Sequence, residues 1–129
     1  MKAKYVRLFS DPDGSSHFQD CDADLAEAEF APGIPPLLVS EPVAAQQVSF
    51  FAAPSGWQSS WHPSSARNLF TVISGEWEIK ASDGEVRRFS RGDVVLVDDT
   101  SGIGHASKVI SKEDSFCLLV GLPPRTRQS

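Results

Sequence analysis

A chain of 129 residues, 40% hydrophobic and 22% charged, can bury a real core without a disulfide or zinc staple and is the size of one domain. Its formal charge of −5, with Lys and Arg scattered along the sequence, argues against nucleic acid or an anionic membrane as the main partner. No apolar run reaches the roughly 18 residues of a membrane span, and MKAKYVRLFSDPDG has no apolar stretch behind its lysines. The sequence therefore predicts neither a spanning helix nor a secretory leader, and a cytoplasmic address.

Strand signals dominate from the start. YVRLF is followed by the turn residues DPDG and then by SSHFQD, Ser15 to Asp20, which carries His17. The only helical candidate is DADLAEAEF, Asp22 to Phe30; it reads as a single turn or as an irregular arm. FAPGIPPLLVSEP, Phe30 to Pro42, holds four prolines. Proline cannot donate to a strand ladder, so this stretch is an extended arm or edge segment. Leu37, Leu38 and Val39 within it form an apolar anchor suited to a neighbouring subunit.

Beyond the arm come QVSFFAAP, NLFTVIS, EWEIKAS, DVVLV, ASKVIS and SFCLLVGL, separated by APSG, SG, SDGE, RGD, TSGIG and KEDS. Short strands with even turn spacing predict an all-β sandwich or barrel. Glu76 to Lys80 alternates, with Trp77 and Ile79 inward and the charges outward. Val94 to Val97 and Phe116 to Val120 are unbroken apolar runs, predicted to be covered on both faces by a second layer or a subunit contact. Gly75 reads as the positive-φ residue of a tight hairpin, and SDGE and RGD as two more turns. Cys21 and Cys117 share no motif spacing and read as free thiols. The end, PPRTRQS, reads as a loose tail.

Over this pattern two stretches resemble the paired motifs of the cupin superfamily. The first is Gly56, five residues, His62, one residue, Ser64, three residues, Asn68, six residues, Gly75. Every spacing fits, with Ser64 at the family's second His position and Asn68 at its Glu position. The second is GDVVLVDDTSGIGH, Gly92 to His105, with a loop about two residues longer than usual and Asp98 where proline is common. The combination of SSHFQD, a WHP and a DDTSGIGH loop is also similar to small single-domain bacterial cupins of uncharacterised function.

The resemblance implies an all-β, double-stranded β-helix, the cupin jelly-roll barrel, as a single domain. Residues 1–46 would supply N-terminal strands and the Pro-rich arm, 47–122 the barrel core and 123–129 a flexible tail. It implies a pocket around His62, Asn68 and His105, the three metal-ligand candidates, with Trp57, Ser64, Phe70 and Trp77 lining it. Residues two or four apart on a strand share a face, which would send His62, Ser64 and Asn68 inward, continued by Phe70 and Val72.

Two imidazoles and an amide can hold a divalent transition metal of unspecified identity, but they lack the carboxylate of non-haem iron sites and the three strong ligands of zinc sites. His17 is a remote candidate for a third imidazole and reads better as a surface or edge histidine. Asp98 and Asp99 either cap amides of their own loop, the preferred reading, or touch His105 and make it a general base. Trp61 is expected to point away from His62, and Trp57 to line the entrance. The functional expectation is a homodimeric small-molecule cupin: an oxygenase-, isomerase- or lyase-type enzyme on a small organic substrate, or else a non-catalytic ligand-binding or sensing domain.

Overall fold

The computed structural model describes residues 1–125. Every regular element in that span is a strand: β1 (Lys2–Ser10), β2 (Ser16–Asp24), β3 (Ala26–Ala28), β4 (Leu37–Val39), β5 (Gln47–Ala53) and β6 (Asn68–Ser74) come first. β7 (Trp77–Ala81), β8 (Val86–Phe89), β9 (Val94–Asp98), β10 (His105–Val109) and β11 (Ser115–Gly121) follow. A six-stranded sheet in the order β2-β1-β9-β6-β11-β5 faces a three-stranded sheet, β10-β7-β8, and β3 and β4 form a small hairpin of their own. All pairings are antiparallel except β1 with β9.

The core lies between the two larger sheets and follows the period-two rule. The six-stranded sheet contributes Leu8, Phe18, Phe70, Val72, Val95 and Cys117; Trp77, Ile79, Ala81, Phe89 and Val109 answer from the other sheet. Trp77 and Ile79 are both 4% exposed, as the alternation of Glu76 to Lys80 predicts. The Trp77 indole N–H donates to Ser115 Oγ at 2.7 Å, and that hydroxyl donates to the Ser74 carbonyl. The buried ring thus keeps no unpaired donor.

Gly75 takes φ +82° as predicted. However, β6 and β7 lie in different sheets, so the turn carries the chain across the sandwich and does not close a hairpin. A Cβ there would stand 2.8 Å from Ser115 Cα and Cβ, so the crossing needs glycine for space as well as conformation. The β6–β11 register shifts just before it, between Phe116 and Cys117, a bulge that bends β6 toward the second sheet.

Three expectations are modified. Residues 22–30 contain no helix: β2 runs through Asp24 and Ala26–Ala28 pairs with Leu37–Val39, because the arm supplies a strand partner that Ala and Glu spacing alone does not reveal. The Phe116 to Val120 run is covered on one face only within the chain; Cys117 is fully buried while Phe116 is 54% exposed. The tail begins under restraint: Arg67 donates to the Pro123 carbonyl at 3.1 Å, and Arg125 pairs with Asp98. The rest of the expected loose tail, 126–129, lies outside the described residues.

Candidate functional site

The site is built where the loop between β5 and β6 meets the start of β10. His62 and His105 face each other across an antiparallel bridge, each backbone N–H donating to the other's carbonyl at 3.0 Å. Directly opposed residues carry their side chains on the same face, and the two rings stand 4.9 Å apart between centroids, tilted by 49°. Gly104 makes this approach feasible. It has φ +77°, and a Cβ on it would fall 2.0 Å from the His62 carbonyl oxygen. Its own carbonyl accepts a 2.7 Å hydrogen bond from the buried hydroxyl of Ser16.

Both rings line a solvent-open cavity of about 170 Å³, with Phe51, Trp57, Phe70 and Trp77 as its aromatic walls; His62 and Trp57 are exposed at its mouth. Trp77 is the hub: Trp57 meets it edge-on at 5.6 Å and Phe70 at 5.4 Å. Phe51 stacks on Phe70 at 5.8 Å. Such edge and offset contacts fix the walls in place. Ile79, Val97 and Ser107 complete the lining.

The hydrogen bonds set the tautomers. His105 Nδ1–H donates to Asp99 Oδ2 at 2.6 Å, and Asp99 is fully buried. His62 Nδ1–H donates to the Ser60 carbonyl at 2.9 Å. Each neutral ring therefore keeps its proton on Nδ1 and offers an unprotonated Nε2. The second carboxylate oxygen of Asp99 has no hydrogen-bond partner among the described residues. A buried carboxylate with one idle oxygen is costly; that cost is consistent with a carboxylate kept for its effect on the ring.

Neither aspartate caps its own loop, contrary to the preferred sequence reading. Asp98, 6% exposed, receives the guanidiniums of Arg7, Arg67 and Arg125. Burial pushes its carboxyl up, but Arg125, Arg7 and Arg67 outweigh that and hold it below the usual range. Successive strand residues point to opposite faces, so Asp98 serves the outside and Asp99 the inside.

Trp57, Phe70 and Trp77 of the predicted lining reach the cavity, but Ser64 and Asn68 do not. Asn68 Nδ2 donates to the Ala66 carbonyl at 2.9 Å, and Ser64 Oγ donates to the same carbonyl at 2.6 Å. Both side chains thus stabilise the turn before β6. Trp61 lies in a separate surface groove with Glu78 and Lys80. His17 is clamped between Asp11 and Asp83 at 2.5 and 2.8 Å, and these two bonds raise its pKa against the opposing effect of burial. The sequence reading gave no role to Gly104 or to Phe51, Val97 and Ser107. Val97 and Ser107 carry a usable signal, each lying two residues from an inward neighbour, Val95 and His105.

For a metal ion, the donors on offer are the two imidazole ε-nitrogens. No group of three or more His, Cys, Asp or Glu side chains is arranged to hold a metal ion among the described residues. The pair is one ligand short of the usual catalytic set.

The two facing sheets, with a histidine from each motif meeting at one end of the space between them, define the class: the chain has a double-stranded β-helix fold. Among solved structures it is similar to an uncharacterised double-stranded β-helix protein of Klebsiella pneumoniae, with 23% identity over 74% of this chain and 82% of that one and a TM-score of 0.50. It is also similar to the cupin domain of Schizosaccharomyces pombe Cnp3, with 14% identity over 96% and 83% and a TM-score of 0.50. A Streptococcus pyogenes protein of unknown function, SPY1581, shares 28% identity over 61% of this chain and 65% of its own, with a TM-score of 0.48. No protein-family model and no curated protein matches the sequence. No helix among the described residues is long and apolar enough to cross a membrane.

Proposed function

We propose that the chain is a small-molecule cupin that takes a ring-sized organic molecule carrying a hydroxyl or enol into the aromatic cavity, with His105 as general base. The carrying observation is the opposed pair itself: two ε-nitrogen acceptors in one cavity, one of them backed by a fully buried carboxylate. About 170 Å³ is close to the roughly 150 Å³ that admits benzene. The aromatic walls grip the ring and the ε-nitrogens receive its donor. A proton leaving the ligand passes to His105 Nε2, and Asp99 stabilises the resulting imidazolium through Nδ1–H. The same proton can return from His105 Nε2 to a second position of the ligand while His62 Nε2 accepts a hydrogen bond that orients it, which suits isomerase-type chemistry.

A second reading rests on the same tautomers. Imidazoles that hold metals donate their other N–H to a carboxylate or carbonyl, as His105 and His62 do here. A divalent transition metal bound through the two ε-nitrogens would need its remaining ligands from water or from the bound molecule.

Binding of phenol and of toluene, followed by tryptophan fluorescence, tests the proposal. Phenol should bind about tenfold more tightly than toluene, the worth of one good hydrogen bond, and His105→Ala should erase the difference. Equal affinities in the wild type, or a preference that survives the substitution, would overturn it. Retained binding without turnover of any enolisable ring compound would leave a ligand-binding or sensing domain. Stoichiometric metal that disappears in His105→Ala would establish the second reading.

A further inference from the structure

Three guanidiniums meet one carboxylate at the end of β9. Arg7 gives Asp98 its Nε and Nη2, Arg67 its Nε, and Arg125 its Nε and Nη2. Three positive charges therefore face one negative charge, an excess of two. Asp99 does not correct it, because its carboxylate lies on the inner side with His105. Like charges this close repel one another. The side chains of Arg67 and Arg7 are also largely withdrawn from water, at 17% and 28% exposure. A further anion would stabilise such a cluster.

The donors on two of these arginines are not used up. A guanidinium carries five N–H groups on three nitrogens. Arg7 engages all three nitrogens, the last of them, Nη1, with Gln19 Oε1 at 3.4 Å. Arg67 donates from Nη1 to the Pro123 carbonyl at 3.1 Å, which leaves its Nη2; Arg125 keeps its Nη1. Neither nitrogen has a partner among the described residues. Both arginines line an open groove of about 430 Å³, a volume in the range of small-molecule sites. Ser65 and Thr100 add two hydroxyls to its wall and Gln46 an amide, while Leu122 and Pro124 give it an apolar side. The groove shares no lining residue with the aromatic cavity.

The chemistry of the occupant follows from this inventory. A formal charge of −5 on the whole chain repels nucleic acid and anionic membranes, so the anion is small. An excess of two positive charges calls for a doubly charged group. A phosphate monoester carries nearly two charges at neutral pH and three strong acceptor oxygens, whereas a carboxylate has one charge and two oxygens. Guanidinium edges match phosphate oxygens in geometry as well as charge. The apolar side of the groove suits the carbon skeleton that such an ester carries.

We infer that this groove is a second ligand site, which takes the phosphate group of a small organic phosphate monoester. Arg67 Nη2 and Arg125 Nη1 donate to the phosphate oxygens, the hydroxyls of Ser65 and Thr100 add neutral donors, and the organic part lies against Leu122 and Pro124. Asp98 prepares the site without occupying it. By holding the Nε groups of Arg67 and Arg125, it fixes both guanidiniums before the ligand arrives, and a pre-ordered site loses less entropy on binding. The site stands apart from the aromatic cavity and does not depend on the reading of His105.

Isothermal titration of the full chain with inorganic phosphate, glycerol phosphate and succinate tests this, in about 0.15 M NaCl to screen long-range attraction. Both phosphates should bind at one site with a Kd of about 1 mM or tighter, and glycerol phosphate should bind more tightly than succinate. Arg125→Gln should weaken phosphate binding about tenfold and Thr100→Val about threefold. Both side chains are exposed, so both variants should keep the strand signal in circular dichroism. His105→Ala should leave phosphate binding unchanged, which separates this site from the aromatic cavity. No binding of either phosphate, unchanged affinity in either groove variant, loss of phosphate binding in His105→Ala, or a preference for succinate would each overturn the proposal. Capture by phosphatidic acid vesicles without binding of free glycerol phosphate would assign the arginines to a membrane and equally overturn the small-ligand site.

Discussion

Asp98 and Asp99 are neighbours in the chain, yet the regions around them are built on opposite principles. On the outer side, Asp98 is saturated by three guanidiniums that tie β1, the start of β6 and the C-terminal segment to the end of β9. On the inner side, Asp99 has one imidazole and an idle oxygen. The first region joins chain segments that are far apart in sequence; the second leaves a carboxylate under-satisfied beside a cavity. A carboxylate with every lone pair engaged holds structure together, whereas one with spare capacity is available to chemistry.

The largest expected effect falls on the saturated side. Asp98→Asn removes the one carboxylate that, among the described residues, faces Arg7, Arg67 and Arg125. Losing one partner of a buried ion pair costs about 3–5 kcal/mol, and the partial exposure of the arginines places this case near 3 kcal/mol. Urea unfolding should register that loss while phenol binding by the folded variant stays unchanged. A variant that keeps its stability but loses phenol would invert the division of labour between the two aspartates.

Gly104→Ala should come next, because it attacks the geometry that brings the two motifs together. The new methyl would meet the His62 backbone and force a positive φ on alanine. Overpacking against backbone costs about 1–3 kcal/mol. Stability should fall by about 2 kcal/mol, and the phenol-over-toluene preference should fall with it, since the His62–His105 bridge must open. Gly84→Ala is the control: it shares the positive φ and meets nothing within 4 Å, so it should cost less stability and leave binding intact.

The contrast also marks how far the sequence could be read. Period-two alternation located Phe70, Val72, Trp77 and Ile79 on the inner face because burial of one sheet face writes itself into every second residue. Motif spacing also brought His62 and His105 together, although His62 lies in the β5–β6 loop and is held by an isolated bridge to the first residue of β10. Spacing did not reveal where Ser64 and Asn68 hydrogen-bond. Ser64 lies in the irregular segment before β6, and Asn68 opens β6 opposite Val97, yet both side chains turn back to the Ala66 carbonyl. The role of Asp99 was open in the sequence because two adjacent aspartates look alike until the end of β9 is known. Gly104 was hidden more deeply, since its requirement comes from a backbone forty-two positions away.

Asp99→Asn tests the inner region with a smaller effect on stability. The amide oxygen can still accept from His105 Nδ1–H, and removing a buried charge with an idle oxygen should change stability by no more than about 1 kcal/mol, in either direction. The imidazolium loses its counter-charge, so most of the phenol preference should disappear and any proton-transfer activity should fall. Asp98→Asn and Asp99→Asn would then form a crossed pair, one affecting folding and the other function. If Asp99→Asn destabilises as much as Asp98→Asn and leaves binding unchanged, Asp99 is a structural residue and the proposed general base has no support.

The smallest effect belongs to His17, which resembles Asp99 in using a carboxylate–imidazole contact but lies on the surface between Asp11 and Asp83. Its pKa is raised by those two bonds, and that of Asp11 is lowered by the same contact. A raised histidine contributes its stability fully below its unfolded value, about 6.5, and loses it as pH climbs through the higher folded value. The lowered aspartate contributes above its unfolded value, about 3.9, and loses it as pH falls through the lower folded one. The clamp is therefore strongest between roughly pH 4 and 6.5. The melting temperatures of wild type and His17→Gln should differ most in that window and converge above neutrality. Added salt should shrink the gap, because these groups are partly exposed. A gap that is independent of pH and salt would mean that His17 acts through packing against Phe9, whose ring lies 5.6 Å away, and not through charge.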